Sequence, residues 1–182
     1  MNLARIGMYI ALGAAALLFL FPMYWLAISA FRPQDEIFTS PPQLVPYSLY
    51  FGNFTDLFDA TNFVRAFVNS VIIAIGHCTL ALFLCSLAGY AFAVYPEAPG
   101  RNALFAFVLA TMMVPGVVTL IPVFVILCKL HLVNTYWAMI VPGAANAFGI
   151  FWMRQATLQS VHRDLVHAAR IDGCTEFGIY WR

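Results

Sequence analysis

Residues with reactive side chains are few in this chain, and their spacing assembles neither a catalytic site nor a metal site. The four cysteines occur in or beside apolar segments, without a C-x-x-C pair, at Cys78, Cys85, Cys128 and Cys174. This pattern indicates neither a disulfide framework nor a zinc site, so we interpret them as small apolar residues. The segment Cys128-Lys129-Leu130-His131 would supply only half of a metal site, and no further ligands accompany it.

His77 is a candidate functional residue because it lies near the middle of a long apolar segment, where an ionisable side chain is costly. No acidic residue occurs in that segment or in the other three long apolar segments. Without an acidic partner, a proton relay is disfavoured. We therefore predict a neutral histidine that is hydrogen-bonded to a neighbouring helix.

Composition places the chain in a membrane. Of 182 residues, 63% are hydrophobic and 9% are charged, and the mean hydropathy is +0.84. These values lie far outside the range of soluble globular domains. The formal net charge is only +1, so the chain lacks the basic field that nucleic acid would require, and the lipid bilayer is its predicted environment.

The elements that position these residues are predicted to be helices, because a bilayer core of about 30 Å needs about 20 apolar residues in helical form. We predict an all-α, polytopic membrane helical bundle. Residues 1–155 contain its four transmembrane helices, at about 7–31, 66–95, 102–127 and 136–153, and an external segment at 32–65. The first apolar run is longer than that of a signal peptide, which favours an uncleaved span. Within the external segment, residues 53–63 are predicted to form a short amphipathic helix.

The distribution of positive charge predicts the orientation. If the N-terminus is cytoplasmic, six arginines face the cytoplasm and three basic residues face outside. The first set is Arg5, Arg101, Arg154, Arg163, Arg170 and Arg182, and the second is Arg32, Arg65 and Lys129. The N-terminus and residue 182 are therefore both predicted to be cytoplasmic.

Two prolines interrupt the third predicted span, in the sequence MMVPGVVTLIP. Each proline removes a backbone donor and bends a helix, and discontinuous helices are a feature of transport pathways. Pro115, Gly116 and Pro122 are therefore candidates for a pathway or for a kink that serves packing only. In the fourth span, Asn146 lies among small residues that allow close helix packing, and it is a candidate for an interhelical hydrogen bond or the pathway.

The last 27 residues, 156–182, are polar enough to leave the membrane. Ser160 is predicted to cap a helix over Val161–Asp172, which Gly173 ends in a left-handed conformation. An apolar stripe is expected at Val161, Leu165, Ala168 and Ile171, and Thr175 is expected to cap a second short helix. The two predicted helices and the turn between them would form a compact unit that suits either a lipid surface or the groove of a soluble partner. The small residues Ala168 and Ala169 favour the protein partner.

The run Ala168-Ala169-Arg170-Ile171-Asp172-Gly173, preceded by His167, resembles the core of the EAA motif, E-A-A-x-x-D-G. That motif marks the permease subunits of binding-protein-dependent ABC importers, and the whole chain is similar to their carbohydrate branch, the MalG-like permeases. The other stretches that carry the resemblance are FPMYWLAISAFRP (21–33), NSVIIA (69–74), MMVPGVVTLIPVF (112–124) and LVNTYWAMIVPGAANAFGIFWMRQ (132–155). The sequence departs from the family pattern at His167, where the family has glutamate, and at His162, where proline is usual.

The resemblance implies a permease subunit in a bacterial or archaeal inner membrane. It implies six spans, with 156–182 as an incomplete coupling loop in which residues 167–173 contact the ATPase. The expected partners are a second, MalF-like permease subunit, a cytoplasmic ABC ATPase dimer and an extracytoplasmic binding protein that delivers a sugar. No G-x-x-x-x-G-K-[ST] loop occurs here. ATP and Mg²⁺ are therefore expected at the partner ATPase, and this chain is expected to be neither an enzyme nor a cofactor binder.

Two alternatives to an importer permease remain open. One is a small membrane protein that acts by itself, as a secondary carrier or a scaffold, with its tail on lipid. The other is a fragment without function, because the resemblance places two more spans after residue 182.

Overall fold

The computed structural model describes residues 3–39, 44–45 and 48–182 of the chain. Over these residues the regular structure is helical, as the all-α class predicts. The helices are α1 Leu3–Ser29, α2 Gln34–Ile37, α3 Gly52–Ala60, α4 Phe63–Val94, α5 Arg101–Ala110, a 3-10 turn Thr111–Met113, α6 Gly116–Lys129, α7 Trp137–Ile140, α8 Ala147–Ser160, α9 Arg163–Ile171 and α10 Glu176–Trp181. The chain divides into two compact units, Met1–Ala66 and Phe67–Arg182.

Two of the described helices are long and apolar enough to cross a membrane, Ala4–Ser29 within α1 and Phe63–Val94, which is α4. The segments Arg101–Met113 and Gly116–Lys129 pass the same test as a pair, but they meet at an angle of 103°. The described residues therefore contain two such spans, or three if the bent pair counts as one. The total of four spans stays a prediction.

The third predicted span is interrupted, as its prolines predict, and the break lies at Pro115. Proline has no backbone N–H and forces the residue before it out of the helical conformation. Val114 is accordingly extended, with φ −81° and ψ 115°, and α6 begins just after Pro115. Pro122 lies inside α6 without ending it, although the carbonyl of Val118 loses its intrahelical donor there.

The fourth predicted span, 136–153, also differs from a single helix. It consists of the short α7 and of the first half of α8, which continues beyond the predicted end to Ser160. Pro142 interrupts the backbone hydrogen bonds between them, and Gly143 adopts a left-handed conformation with φ 78°. Asn146 then caps α8, since its side chain accepts a hydrogen bond from the Gly149 N–H at 2.7 Å.

In the first unit, the segment after α1 folds back on the end of that helix. The Asn53 side chain donates to the carbonyls of Ala30 at 3.1 Å and Arg32 at 2.6 Å, and the Phe31 ring packs against Phe54 with a centroid separation of 5.4 Å. Arg32 is fully buried, with its guanidinium 5.6 Å from the centre of the Trp25 ring. The predicted short helix is present as α3. Pro41, Pro42 and Pro46 of the external segment lie outside the described residues.

In the second unit, α4 and α8 cross at very short range. A Cβ atom added to Gly89 would lie 2.6 Å from the Met153 Cβ and 2.7 Å from the Arg154 backbone nitrogen. A Cβ added to Gly149 would lie 2.8 Å from the Cys85 sulfur. Only glycine therefore permits this approach of the two backbones, which is the usual means by which helices associate in a membrane.

Polar groups fix the position of α7 along α4. The Nδ1 atom of His77 lies 2.9 Å from the Ile140 carbonyl, so His77 is bonded to a neighbouring helix as its sequence context predicts. About two helical turns before His77 on α4, the Asn69 side chain accepts a hydrogen bond from the Tyr136 hydroxyl at 2.8 Å. Two hydrogen bonds thus fix the register of the broken fourth segment against α4.

Substitution of Gly89 by valine is expected to destabilise the second unit, because the added side chain would overlap backbone atoms of α8. Overpacking of this kind typically costs about 1–3 kcal/mol. The measurement is the thermal unfolding temperature of the detergent-solubilised protein. Gly13→Val in α1 is the matched control, since a Cβ there meets nothing within 4 Å. Equal unfolding temperatures for Gly89→Val and wild type would show that the crossing is looser than described.

Candidate functional site

The polar C-terminal part of the chain folds as a knob that consists of α9, the turn after it and α10 (residues 163–181). Its start differs from the sequence prediction. Ser160 is the last residue of α8 and does not cap a new helix. The Val161 N–H still donates to the Thr157 carbonyl at 2.9 Å, and α9 starts at Arg163 with His162 as a cap residue that makes no side-chain bond. No residue between Gln155 and Ser160 is a helix breaker, which allows α8 to continue.

The end of α9 agrees with the prediction. Gly173 has φ 80°, its N–H donates to the Arg170 carbonyl at 3.1 Å, and the Cys174 N–H donates to the Ala169 carbonyl at 3.0 Å. This pair of bonds is a Schellman motif, which satisfies the last carbonyls of a helix. Thr175 then caps α10, with its hydroxyl oxygen accepting from the Gly178 N–H at 3.2 Å. The turn between the two helices is thereby fixed at both ends.

The predicted apolar stripe on α9 is mostly uncovered by the described part of the chain, although Leu165 borders an open cavity beside Tyr90 and Met153. Leu165 and Ile171 are 65% and 87% exposed, whereas Val166 is only 4% exposed. The periodicity correctly identified an apolar face, but the face that packs inwards is centred on Val166. Leu165 and Ile171 are therefore left as an uncovered apolar surface on a charged helix.

An ion pair joins α9 to α10 and to the end of α4. The Arg170 Nε donates to the Oε1 atom of Glu176 at 2.7 Å, and the Arg170 Nη2 donates to the Oε2 atom at 3.2 Å. The Tyr95 hydroxyl, just beyond the end of α4, also donates to Glu176, at 2.5 Å. The Arg170 guanidinium lies 5.4 Å from the centre of the Tyr95 ring. We name these three residues, Tyr95, Arg170 and Glu176, the latch.

The latch shifts the titration of both its charged members. The hydrogen bonds from Arg170 and then from Tyr95 lower the pKa of the Glu176 carboxyl below its ordinary value, because they stabilise the ionised form. The hydrogen bond to Glu176 in turn raises the pKa of Arg170. The pair is therefore fully ionised at neutral pH.

A second contact holds α10 against α4 away from the latch. The Tyr180 hydroxyl lies 2.6 Å from the Ser86 hydroxyl, and its ring packs edge-on against Tyr90 with a centroid separation of 5.4 Å. Ser86 and Tyr90 are four residues apart, so they lie on one face of α4. The six-residue α10 is thus attached to α4 at two levels.

Between α9, the end of α8 and the turn after α4 lies an open cavity of about 440 Å³. His167 lines it together with Arg163 and Arg170, and Glu97 and Tyr95 lie on the opposite wall. His167, the residue that departs from the family pattern, therefore faces this cavity. Ala168, Asp172 and Gly173 are exposed, and Ala169 is half-buried.

The other predicted site residues do not join the knob. Pro115 and Gly116 form the break before α6, Pro122 lies within α6, and Asn146 caps α8. Asn146 and His77 line a second, mainly apolar cavity of about 470 Å³. Across helices, the Asn146 side-chain nitrogen lies 3.8 Å from the Cys85 sulfur, which is a weak contact.

Sequence reasoning missed three residues of the knob's attachment, Glu176, Tyr95 and Tyr180. The six-residue spacing of Arg170 and Glu176 crosses a turn, so no helical rule pairs them, and Tyr95 is 81 residues away from Glu176. The aromatic content of the second short helix was the only available signal. Within the described residues, no group of three or more His, Cys, Asp or Glu side chains is placed to hold a metal ion.

Broken apolar helices, a glycine-mediated helix crossing and a polar helical knob are together typical of a membrane protein whose helices pack against one another in the bilayer. Comparison with known proteins agrees: residues 85–182 match the family described as binding-protein-dependent transport system inner membrane component. The chain belongs to this family of membrane transport permeases.

Two similar proteins are named as permeases of sugar transport systems. The chain is 36% identical over 181 residues to the arabinooligosaccharides transport system permease protein AraQ of Bacillus subtilis, covering 98% of this chain and 64% of that protein. It is 32% identical over 180 residues to the lactose transport system permease protein LacG of Rhizobium radiobacter, covering 99% of this chain and 64% of that protein.

A solved structure shares the fold. A chain in the crystal structure of a bacterial ABC transporter involved in the import of the acidic polysaccharide alginate superimposes with a TM-score of 0.80 and 24% identity. The match covers 98% of this chain and 62% of that chain. The present chain thus spans somewhat less than two thirds of the length of these relatives.

Substitution of Gly173 by valine should loosen the knob, because a left-handed backbone costs an L-residue about 1–2 kcal/mol. The expected result is a roughly tenfold faster trypsin cleavage at Arg163 and Arg170, which reports opening of the knob. Gly173→Asn is the control, since asparagine tolerates this conformation and a Cβ at 173 meets nothing within 4 Å. Equal cleavage of the valine and asparagine variants would exclude backbone conformation as the cause.

The knob should also loosen in acid. The Glu176 pKa is lower in the folded knob than in the unfolded chain, so the ion pair stabilises the fold above the unfolded pKa and is lost as the pH falls through the folded one. The mobility of a nitroxide label on Cys174, in a protein without the other cysteines, should be constant from neutral pH downwards and rise only below the usual range of a glutamate. Glu176→Gln should remove this acid step, and an unchanged step would assign it to another group.

Proposed function

We propose that this chain is part of the transmembrane permease of an ATP-driven importer for carbohydrates. The observation that carries the proposal is the knob: a fixed turn after a capped helix whose apolar residues, Leu165 and Ile171, are uncovered. A soluble partner with an apolar groove would cover such a surface. The sugar-transport names of two relatives, AraQ and LacG, support a carbohydrate as the substrate.

The proposed partner at the knob is a cytoplasmic ABC ATPase dimer, which would bind ATP and Mg²⁺. In this arrangement residues 167–173, with the neighbouring exposed Leu165, contact the ATPase, and the knob, the N-terminus and residue 182 are cytoplasmic. A second, MalF-like permease subunit would form the other half of the pathway, and an extracytoplasmic binding protein would deliver the sugar. The family description, which specifies a binding-protein-dependent transport system, supports the last of these partners.

The proposed mechanism requires that the knob move as a rigid body when the ATPase closes on ATP. The Schellman motif and the Thr175 cap supply that rigidity within the knob. The α4–α8 crossing gives the moving part a firm connection to the membrane helices. The breaks at Pro115 and at Pro142 would then permit the surrounding helices to rearrange without unfolding.

The docking surface is tested by the double substitution Leu165→Glu and Ile171→Glu in the full-length protein. Both side chains are exposed in this chain, so folding of the knob should be preserved. Loss of buried apolar area at an interface should weaken ATPase binding at least about tenfold, measured by co-purification and by titration in detergent. Sugar uptake into proteoliposomes should fall in parallel.

His162→Gln is the matched control, because His162 is exposed and precedes the proposed contact surface. It should leave co-purification and uptake at wild-type levels. Wild-type ATPase binding by the double variant would contradict the assignment of the knob. If the wild-type chain binds no ATPase from its own gene neighbourhood and transports without ATP, the alternative of a protein that acts alone is favoured.

A further inference from the structure

We infer that Glu176 and Tyr95 are positioning residues which transmit movement of α9 to the membrane helix α4. This inference rests on the proposed function, since it concerns how a force applied at the knob reaches the membrane. The observation that carries it is the latch, in which the Glu176 carboxylate is bonded at once to Arg170 on α9 and to Tyr95 at the end of α4.

The direct packing of α9 against the end of α4 is incomplete. A cavity of about 440 Å³ lies between α9, the end of α8 and the turn that follows α4. On α9 itself, Val166 is the only residue described as buried. A displacement of α9 would therefore first change the volume of this cavity, unless another contact connects the two helices.

The latch is that contact: it connects α9 to the end of α4 through Glu176 of α10, beside the cavity. Arg170 binds both carboxylate oxygens of Glu176, at 2.7 and 3.2 Å, a bidentate geometry that resists rotation as well as separation. Glu176 is the first residue of α10, and Tyr180 on the same helix contacts Ser86 of α4 at 2.6 Å. Through these bonds α9, α10 and α4 form one connected set.

The chemistry of the latch suits movement in two directions. Van der Waals packing strongly opposes the approach of two helices but resists their separation only at very short range, since a gap of about 0.5–1 Å already removes roughly a quarter to a half of its attraction. A charged, bidentate hydrogen bond also resists separation, and so it would return α4 when α9 is withdrawn. A transport cycle needs both the forward and the return movement of α4. Loss of the latch should therefore lower the number of sugar molecules transported per ATP hydrolysed.

The test uses the complete transporter, with its ATPase and binding protein, in proteoliposomes. Glu176→Gln removes the charge and keeps the shape, while Tyr95→Phe removes only the hydroxyl that donates to Glu176. Neither residue belongs to the proposed ATPase contact at 167–173. The number of sugar molecules transported per ATP hydrolysed should fall about three- to tenfold in each variant, the range expected for loss of one coupling contact.

Three further measurements separate the explanations. ATPase co-purification should remain at the wild-type level, and Glu176→Asp, which keeps the charge on a shorter side chain, should restore part of the transport ratio. Arg163→Gln, on the same helix and lining the same cavity without contacting Glu176, should leave the ratio unchanged. A purely structural role for the latch would lower the yield and the unfolding temperature of the variants while the ratio stayed at the wild-type value, and that result would overturn the inference.

Failure of the proposed function gives a different pattern. In that case the wild-type protein itself would show no ATPase binding and no ATP-dependent uptake. Normal uptake and binding in wild type, together with a wild-type transport ratio in both Glu176→Gln and Tyr95→Phe, would reject the latch alone. A lowered ratio in these two variants but equally in Arg163→Gln would also reject it, by assigning the effect to the cavity wall.

Discussion

The close crossing of α4 and α8 is the constraint on which the rest of the second unit depends. In a membrane the hydrophobic effect does not drive helices together, so tight backbone contact and hydrogen bonds must do so. Gly89 and Gly149 make that contact by leaving no room for a Cβ atom. Because α8 leads directly into α9, the crossing also determines that the knob lies beside the end of α4. The cavity, the latch and the Tyr180 contact all follow from this placement.

Polar interactions have a different role from the close packing. Along α4 the hydrogen bonds of Asn69 and His77 hold α7, a segment that Pro142 separates from α8. Beyond the end of α4, the charged groups of the latch connect the knob. Glycine thus determines where the helices cross, and polar side chains determine how the irregular segments between and after them are held.

The sequence predicted well those features that local chain chemistry controls. Pro115 broke a helix, Gly173 ended one in a left-handed conformation, and Thr175 began another, because each effect depends on the residue's own backbone geometry. The predicted helix over Val161–Asp172 is present as α9, but its predicted cap at Ser160 was wrong because the chain from Gln155 contains nothing that stops a helix. A single span at 136–153 was predicted from hydropathy, which reports apolar length and is insensitive to interruption by proline.

Contacts between distant side chains were beyond the reach of the sequence. Arg170 and Glu176 are separated by a turn of defined shape, and Tyr95 meets them only because the glycine crossing brings α4 beside the knob. The periodicity of α9 showed that it has an apolar face at Leu165 and Ile171. Periodicity does not indicate whether the surface that covers such a face belongs to the same chain, and here no other part of the described chain covers it.

The shortness of α9 and α10 has a thermodynamic consequence. Isolated helices of fewer than about 12 residues are marginal in water, and these have nine and six. Their helical state is therefore maintained by caps and by attachment to α4, so the order of the knob and the stability of the membrane helices are linked. By the reciprocity of linkage, any protein that binds the ordered knob must stabilise the α4–α8 pair to the same degree that the pair favours its binding. Part of the free energy of binding at the knob would thus appear as increased stability of the membrane helices themselves.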